Sequence, residues 1–213
     1  IISYMETFYN IRFTAKTLTT ILLEETGRLY DGRPTDDATV CTVRIRRREA
    51  VNLAFGPPSS YDDNIKMMSL FFARGGRHIV CGGTTAKIAA AYLGTAVVVS
   101  DLTPDPDIPP VSTVDGIDLV TEGIVTMDRV LTYAKGDLAG NTQFEEWSYK
   151  KDGASRISRM LFETATDVNL FIGKAVNPAH QNLPFNFEVK MRLVNELVES
   201  LESMGKIVLV NYF

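Results

Sequence analysis

Tryptophan occurs once, histidine twice and cysteine twice in 213 residues, and each shortage removes a class of chemistry. Cys41 and Cys81 lie far apart, each inside an apolar run (VCTV and IVCG), so both read as buried thiols in a reducing compartment rather than as a disulfide. No cysteine–histidine cluster has zinc spacing. No apolar run approaches the roughly 20 residues that span a bilayer, and the first residues lack the basic-then-apolar layout of a signal peptide. The expectation is a cytoplasmic protein with no membrane partner. A strong charge of either sign is also missing: the net charge is -4, and the one basic cluster, Arg44 and Arg46 to Arg48, is local, so no nucleic-acid partner is expected. Neither GxxxxGK[ST] nor GxGxxG occurs, nor any internal repeat. The chain opens on Ile1 rather than Met, which suggests a piece of something longer.

What is present is a regular alternation. AVNLAF (50–55) reads as a strand, DDNIKMMSLFFARG (62–75) as a helix and HIVCGG (78–83) as a strand closed by two glycines. TTAKIAAAYLG (84–94) reads as a helix stopped by Gly94, and TAVVVSD (95–101) as a third strand. The four-proline stretch 102–116 is predicted to be a solvent-facing excursion or lid. A short buried run (GIDLVTEG), a helix over 124–136, a polar connection over 138–153, a helix over 154–165 and a strand over 167–173 follow. A helix over 187–205 and a closing strand, KIVLVNYF, complete the chain. Strand–helix alternation of this kind implies an α/β fold: a mostly parallel sheet flanked by helices, Rossmann-like and three-layered, over residues 49–213.

Residues 1–48 have a different texture. TAKTLTTILLEETGRLY (14–30) places Leu18, Ile21, Leu22 and Leu29 near one stripe, with Thr14 as N-cap. The turn DGRPTDD then leads into a strand predicted over Ala38–Ile45, with Asp36 and Asp37 at its mouth. Two acids at a strand edge need water, a cation or a donor. The ordinary alternative is a type I turn with Asp at its favoured positions.

This helix–turn–DDAT–strand run resembles the C-terminal end of metal-dependent protein phosphatases of the PPM type, in the bacterial branch typified by the stage II sporulation protein E phosphatase domain. The resemblance covers about a quarter of the chain and implies that residues 1–48 are a helix-plus-strand remnant of a phosphatase β-sandwich. In such enzymes two cations, Mn2+ or Mg2+, are held by carboxylates and waters and supply a hydroxide that attacks phosphoserine or phosphothreonine. The metal-binding acid of the family falls on Asp36, with Asp37 in support. The upstream acids of the family have no counterpart here, so the fragment is expected to be inactive, to hold no metal tightly and to owe its phosphoprotein substrate to a longer parent.

In residues 49–213 the most suggestive stretch is CGGTTAK, 81–87. Gly82 and Gly83 would let the backbone turn tightly and approach a ligand, while Thr84 and Thr85 would cap the next helix or bind an anion at its N-terminus. The plain alternative is a tight βα turn with a threonine cap. Other polar groups are expected at the same sheet edge: Gly56 to Ser60, Ser100 and Asp101, Glu122, Lys174, Asn177, His180 and Gln181. Asp101 and Glu122 are candidates for a carboxylate pair, and His180 for an acid or base. His78 reads as a strand-end residue. In the final helix Val189, Leu193, Leu197 and Leu201 form a stripe that serves either the core or a homodimer seam.

The expected function is therefore the C-terminal portion of a serine/threonine phosphatase with an α/β sensing domain for a small anionic ligand. The alternatives are an enzyme acting on a small anionic or phosphorylated molecule, and an oligomerisation domain.

Overall fold

The computed structural model describes residues 1–8, 13–33, 35–100, 105–140, 144–175 and 186–213. The chain divides into two compact units, Ile1–Arg47 and Arg48–Phe213.

The first unit contains α1 (Ile2–Glu6) and α2 (Ala15–Leu29). Thr14 caps α2, its hydroxyl accepting from the Thr17 backbone N–H at 3.1 Å, and Arg28 in the last turn is held by Glu25. Residues 38–47 form no strand, contrary to the expectation for Ala38–Ile45. A β-pattern becomes a strand only when a neighbour takes its backbone N–H and C=O groups, and among the described residues none does so here. Val43 and Ile45 accordingly remain 82% and 95% exposed. Cys41 is exposed as well, which corrects its reading as a buried thiol. The segment is tied to the rest of its unit by side chains: Thr19 Oγ1 donates to Thr42 Oγ1 at 2.7 Å, and the Arg44 guanidinium donates to the Phe13 carbonyl.

The second unit is α/β, with a mostly parallel seven-stranded sheet flanked by helices. Its elements are β1 (Ala50–Phe55), α3 (Asp63–Phe72), β2 (Arg77–Cys81), α4 (Gly83–Leu93), β3 (Val98–Val99), β4 (Ser112–Thr113) and β5 (Leu119–Thr121). They continue with α5 (Ile124–Leu138), α6 (Phe144–Tyr149), α7 (Gly153–Ser158), a π-helical turn (Arg159–Thr164), β6 (Asp167–Ile172), α8 (Asn186–Ser203) and β7 (Ile207–Tyr212). The strand order is β3-β4-β5-β2-β1-β6-β7. The five strands β5, β2, β1, β6 and β7 run parallel, and only β4 runs against its neighbours.

The alternation of side chains along the strands divides the core in two. Val51, Leu53 and Phe55 of β1 join Val130 and Leu131 of α5, Ile157 of α7, and Leu193, Val194, Leu197 and Leu201 of α8 on one face. Ala54 of β1 joins Met67, Met68 and Phe71 of α3 and Ala86, Ala89 and Ala90 of α4 on the other. The buried strands therefore read as nearly continuous apolar runs, as sheets covered on both faces do. The stripe of α8 lies in this core rather than on the surface. Gly94 ends α4 in the left-handed conformation at φ 68°, where a Cβ would be strained.

Three stretches differ from expectation. The third predicted strand, 95–101, contracts to Val98–Val99 and joins the sheet only through antiparallel β4. The proline-rich stretch is less of an excursion than predicted, because it buries Ile108 and Val114 and delivers β4. The polar connection 138–153 contains α6, which exists to bury Trp147 (1% exposed) edge-on against Phe162. One Arg159 nitrogen donates to the carbonyls of Trp147, Ser148 and Lys150 and so satisfies the end of that short helix.

Candidate functional site

The strand register fixes where the site forms. Phe55 is level with Cys81 and with Ile172, Cys81 with Thr121, and Ile172 with Tyr212, so the parallel strands end in one row. From β1 the chain steps outward through β2 to β5, then returns to place β6 on the other side of β1. Helices α3 and α8, which follow β1 and β6, pack on opposite faces of the sheet, and the carboxyl edge at such a switch point is where open α/β sheets bind ligands.

A cleft of about 850 Å³ opens at this edge. Its floor includes Phe55 and Gly56, one wall is the Gly82–Lys87 turn and helix start, another is Thr121–Val125, and Lys190 and Phe187 of α8 close it. Val97, Val99, Pro109 and Ser112 from the β3–β4 edge also line it.

Around the crevice the backbones are in close approach. Gly56 has φ 77°, and a Cβ there would fall on the Lys190 ammonium and lie 3.1 Å from its Cε. At Gly173 a Cβ would fall on the Pro57 and Gly56 carbonyls. Glycine at both positions lets the β1 and β6 loops meet and leaves the lysine head room. Lys190 is only 6% exposed. Its ammonium donates to the Gly173 carbonyl and lies 4.9 Å above the Phe55 ring centroid. Among the described residues no carboxylate is at ion-pair distance from it. Burial pushes its pKa down to about 8.

On the opposite wall, Gly82 takes φ 115° and α4 begins without a side-chain cap. Neither threonine caps the helix as the sequence suggested: Thr84 is exposed, and Thr85 is fully buried, its Oγ1 with no hydrogen-bond partner among the described residues. A buried hydroxyl without a partner is an unmet demand worth about 1–3 kcal/mol. The helix start already faces an anion, since Glu122 Oε1 lies 3.4 Å from where a Gly83 Cβ would be. Helix α5 likewise starts at a glycine, Gly123, with no side-chain cap. Thr121 Oγ1 donates to the Glu122 carbonyl at 3.0 Å with Cys81 Sγ at 3.4 Å, and burial pushes the Cys81 thiol up to about 12, so it is no thiolate nucleophile at neutral pH.

The structure thus brings Gly82, Gly83, Thr84, Thr85 and Glu122 to one cleft. Asp101, Asn177, His180 and Gln181 lie outside the described residues, so the Asp101–Glu122 pair has no geometry to report. His78 sits in β2, its Nε2 3.0 Å from the Phe71 carbonyl and its ring edge-on to Phe71. Asp36 and Asp37 belong to the other unit, where both are exposed and Asp36 Oδ1 accepts from the Asp37 N–H at 2.9 Å, as in a turn. Among the described residues no group of three or more His, Cys, Asp or Glu is placed to hold a metal ion, and no helix is long and apolar enough to cross a membrane.

Sequence reasoning missed Lys190. The signal was there: Lys190, Val194, Leu197 and Leu201 recur at helical spacing, so the lysine heads the buried stripe of α8. No family model matches the chain, and comparison with curated proteins and with solved structures returns no match either.

Proposed function

We propose that the Arg48–Phe213 unit is a binding module for a small anion-bearing molecule, seated in the cleft at the carboxyl ends of the strands. The observation that carries this reading is Lys190: a buried ammonium on the cleft lining with no carboxylate partner among the described residues, its head seated where Gly56 has no side chain. An unpaired buried cation is costly, and a ligand anion would offset that cost. Inorganic phosphate, pyrophosphate and citrate serve as first probes in thermal unfolding of the whole chain and of Lys190→Met. A ligand at 100 times its dissociation constant adds about 2.7 kcal/mol to stability. The expected result is a rise in Tm for the native chain that is absent in the variant. No rise with any probe, or an equal rise in both proteins, would sink the reading. Turnover of a bound ligand would move the unit from sensor to enzyme.

For the Ile1–Arg47 unit we retain the phosphatase reading, supported by a threonine-capped α2 followed by the Asp36-Asp37-Ala-Thr run. In it, Asp36 is a ligand and Asp37 an auxiliary to a divalent centre that activates water, completed by acids this chain does not carry, and the α/β unit is the sensing part of the parent. The test is hydrolysis of a generic phosphoester with Mn2+ by the intact gene product and by its Asp36→Ala variant. Undiminished activity in the variant would remove Asp36 from the metal site.

A further inference from the structure

The cleft lining carries a buried ammonium, Lys190, an exposed carboxylate, Glu122, and a second lysine, Lys87, and the pairing of the buried cation with the carboxylate narrows the chemistry of its occupant. This inference rests on the anion-binding reading and names its ligand class. Lys190 supplies the buried positive end. Glu122, exposed into the cleft beside Gly83, supplies a carboxylate with no side-chain partner among the described residues. The Phe55 ring joins the two ends: Lys190 stands over it, and a Cβ at Gly123, the residue after Glu122, would lie 3.8 Å from its Cε2.

An anion cannot share the α4 N-terminus with Glu122 without repulsion, so the ligand anion belongs at Lys190, on the part of the cleft lined by Phe55, Gly56 and Ala175. What Glu122 accepts must be donors, either hydroxyls or an ammonium. The rest of the lining decides between them. The cleft, at about 850 Å³, is far larger than an amino acid, and Val97, Val99, Ile124 and Val125 give it an apolar stretch beside Ser112, Thr84 and Lys87. Val99 stays 62% exposed on an edge strand of two residues. An occupant with an anionic group, neighbouring hydroxyls and a flat apolar face satisfies all three surfaces.

We infer that the cleft binds a nucleoside monophosphate, with its phosphate at Lys190, its ribose hydroxyls on Glu122 and its base against the Val97–Val99 edge. Glu122 then acts as a gauge of the ribose and Lys190 as a gauge of the phosphate.

The experiment is calorimetric titration of the whole chain with the four ribonucleoside 5′-monophosphates, their 2′,3′-dideoxy analogues and the parent nucleosides. Phosphate, citrate and glutamate are run alongside. At least one monophosphate is expected to bind, with its dideoxy analogue and its nucleoside each at least tenfold weaker. In Glu122→Gln the ribose discrimination should vanish while phosphate discrimination persists, and in Lys190→Met the reverse. A single cooperative urea transition in each variant, read from Trp147, establishes that each is folded. Equal affinity for the ribo and dideoxy compounds would overturn the inference. So would binding of glutamate that depends on Glu122, which would assign that carboxylate to an ammonium. If phosphate and citrate bind through Lys190 but no nucleotide does, the anion reading stands and the nucleotide inference falls. If nothing binds, both fall.

Discussion

Replacing Lys190 by methionine should stabilise the empty protein at neutral pH, although it removes a hydrogen bond. The drop of the lysine from 10.5 to about 8 corresponds, at about 1.36 kcal/mol per pH unit, to about 3 kcal/mol. The sign follows from proton binding. Between about pH 8 and 10.5 the unfolded lysine is charged while the folded one is neutral, so the unfolded state holds more protons and stability rises with pH. Below pH 8 both states are charged and the full cost of burying the ammonium is present; above 10.5 it is gone. Methionine has similar length and carries no charge, so the variant should be more stable by up to about 3 kcal/mol at pH 7. At pH 10.5 the order should invert by about 1 kcal/mol, the worth of the neutral amine's bond to the Gly173 carbonyl. Urea unfolding at pH 7, 9 and 10.5, followed by the fluorescence of Trp147, measures the difference, and changes common to both proteins cancel. A variant that is less stable at pH 7 by an amount independent of pH would refute the argument, because it would mean that Lys190 is satisfied where it stands.

Gly173→Ala should cost more than about 3 kcal/mol, since its Cβ meets the Pro57 and Gly56 backbone, whereas Gly56→Ala meets only the end of Lys190 and adds left-handed strain of about 1 kcal/mol; urea midpoints rank the two. With Ellman's reagent the native chain should show one reactive thiol, the exposed Cys41, and release the second, Cys81, only on unfolding. Two fast thiols would mean that β2 is not buried. Asp152→Ala should cost about 2 kcal/mol in the same unfolding assay, because Asp152 is buried and its carboxylate accepts from both the backbone N–H and the hydroxyl of Ser155 at the start of α7.

The parallel centre of the sheet was legible because each of its strands is covered on both faces. AVNLAF, HIVC and DVNLFI are short apolar runs, set between helical patterns and stopped by glycine at 56, 82 and 173, and each became a strand of a single sheet. Where pairing rather than composition decides, the reading failed. ATVCTVRI has a strand's pattern but, among the described residues, no strand pairs with it, so it carries no ladder there. TAVVVSD has a strand's composition but sits two places beyond the parallel centre, where β4 offers it room for only Val98 and Val99. The helix around Trp147 was hidden because six residues contain too few turns to show a period, and one large side chain provides its whole buried face.

The site divides along the same line. Gly82 to Thr85 and Glu122 follow strands directly, so the strand ends in the sequence mark them. Lys190 does not follow a strand; it reaches the cleft because α8 leaves the carboxyl edge of β6 and descends toward β7. In any parallel crossover the first turns of the helix lie at the ligand edge and the later turns lie over the sheet. One helical stripe can then be site at its head and core along its length, and Lys190 followed by Val194, Leu197 and Leu201 is such a stripe. A lysine in the body of that stripe would be a packing fault, with the burial cost worked out above and no compensation. At its head the same residue reaches the cleft lining at the carboxyl end of β1, its ammonium lodged against Gly56, where an alanine Cβ would collide with it. The cost of about 3 kcal/mol is therefore tied to a place where an incoming anion can offset it. The strand order, which puts β6 beside β1, is what turns a charged residue in an apolar stripe into a candidate binding group.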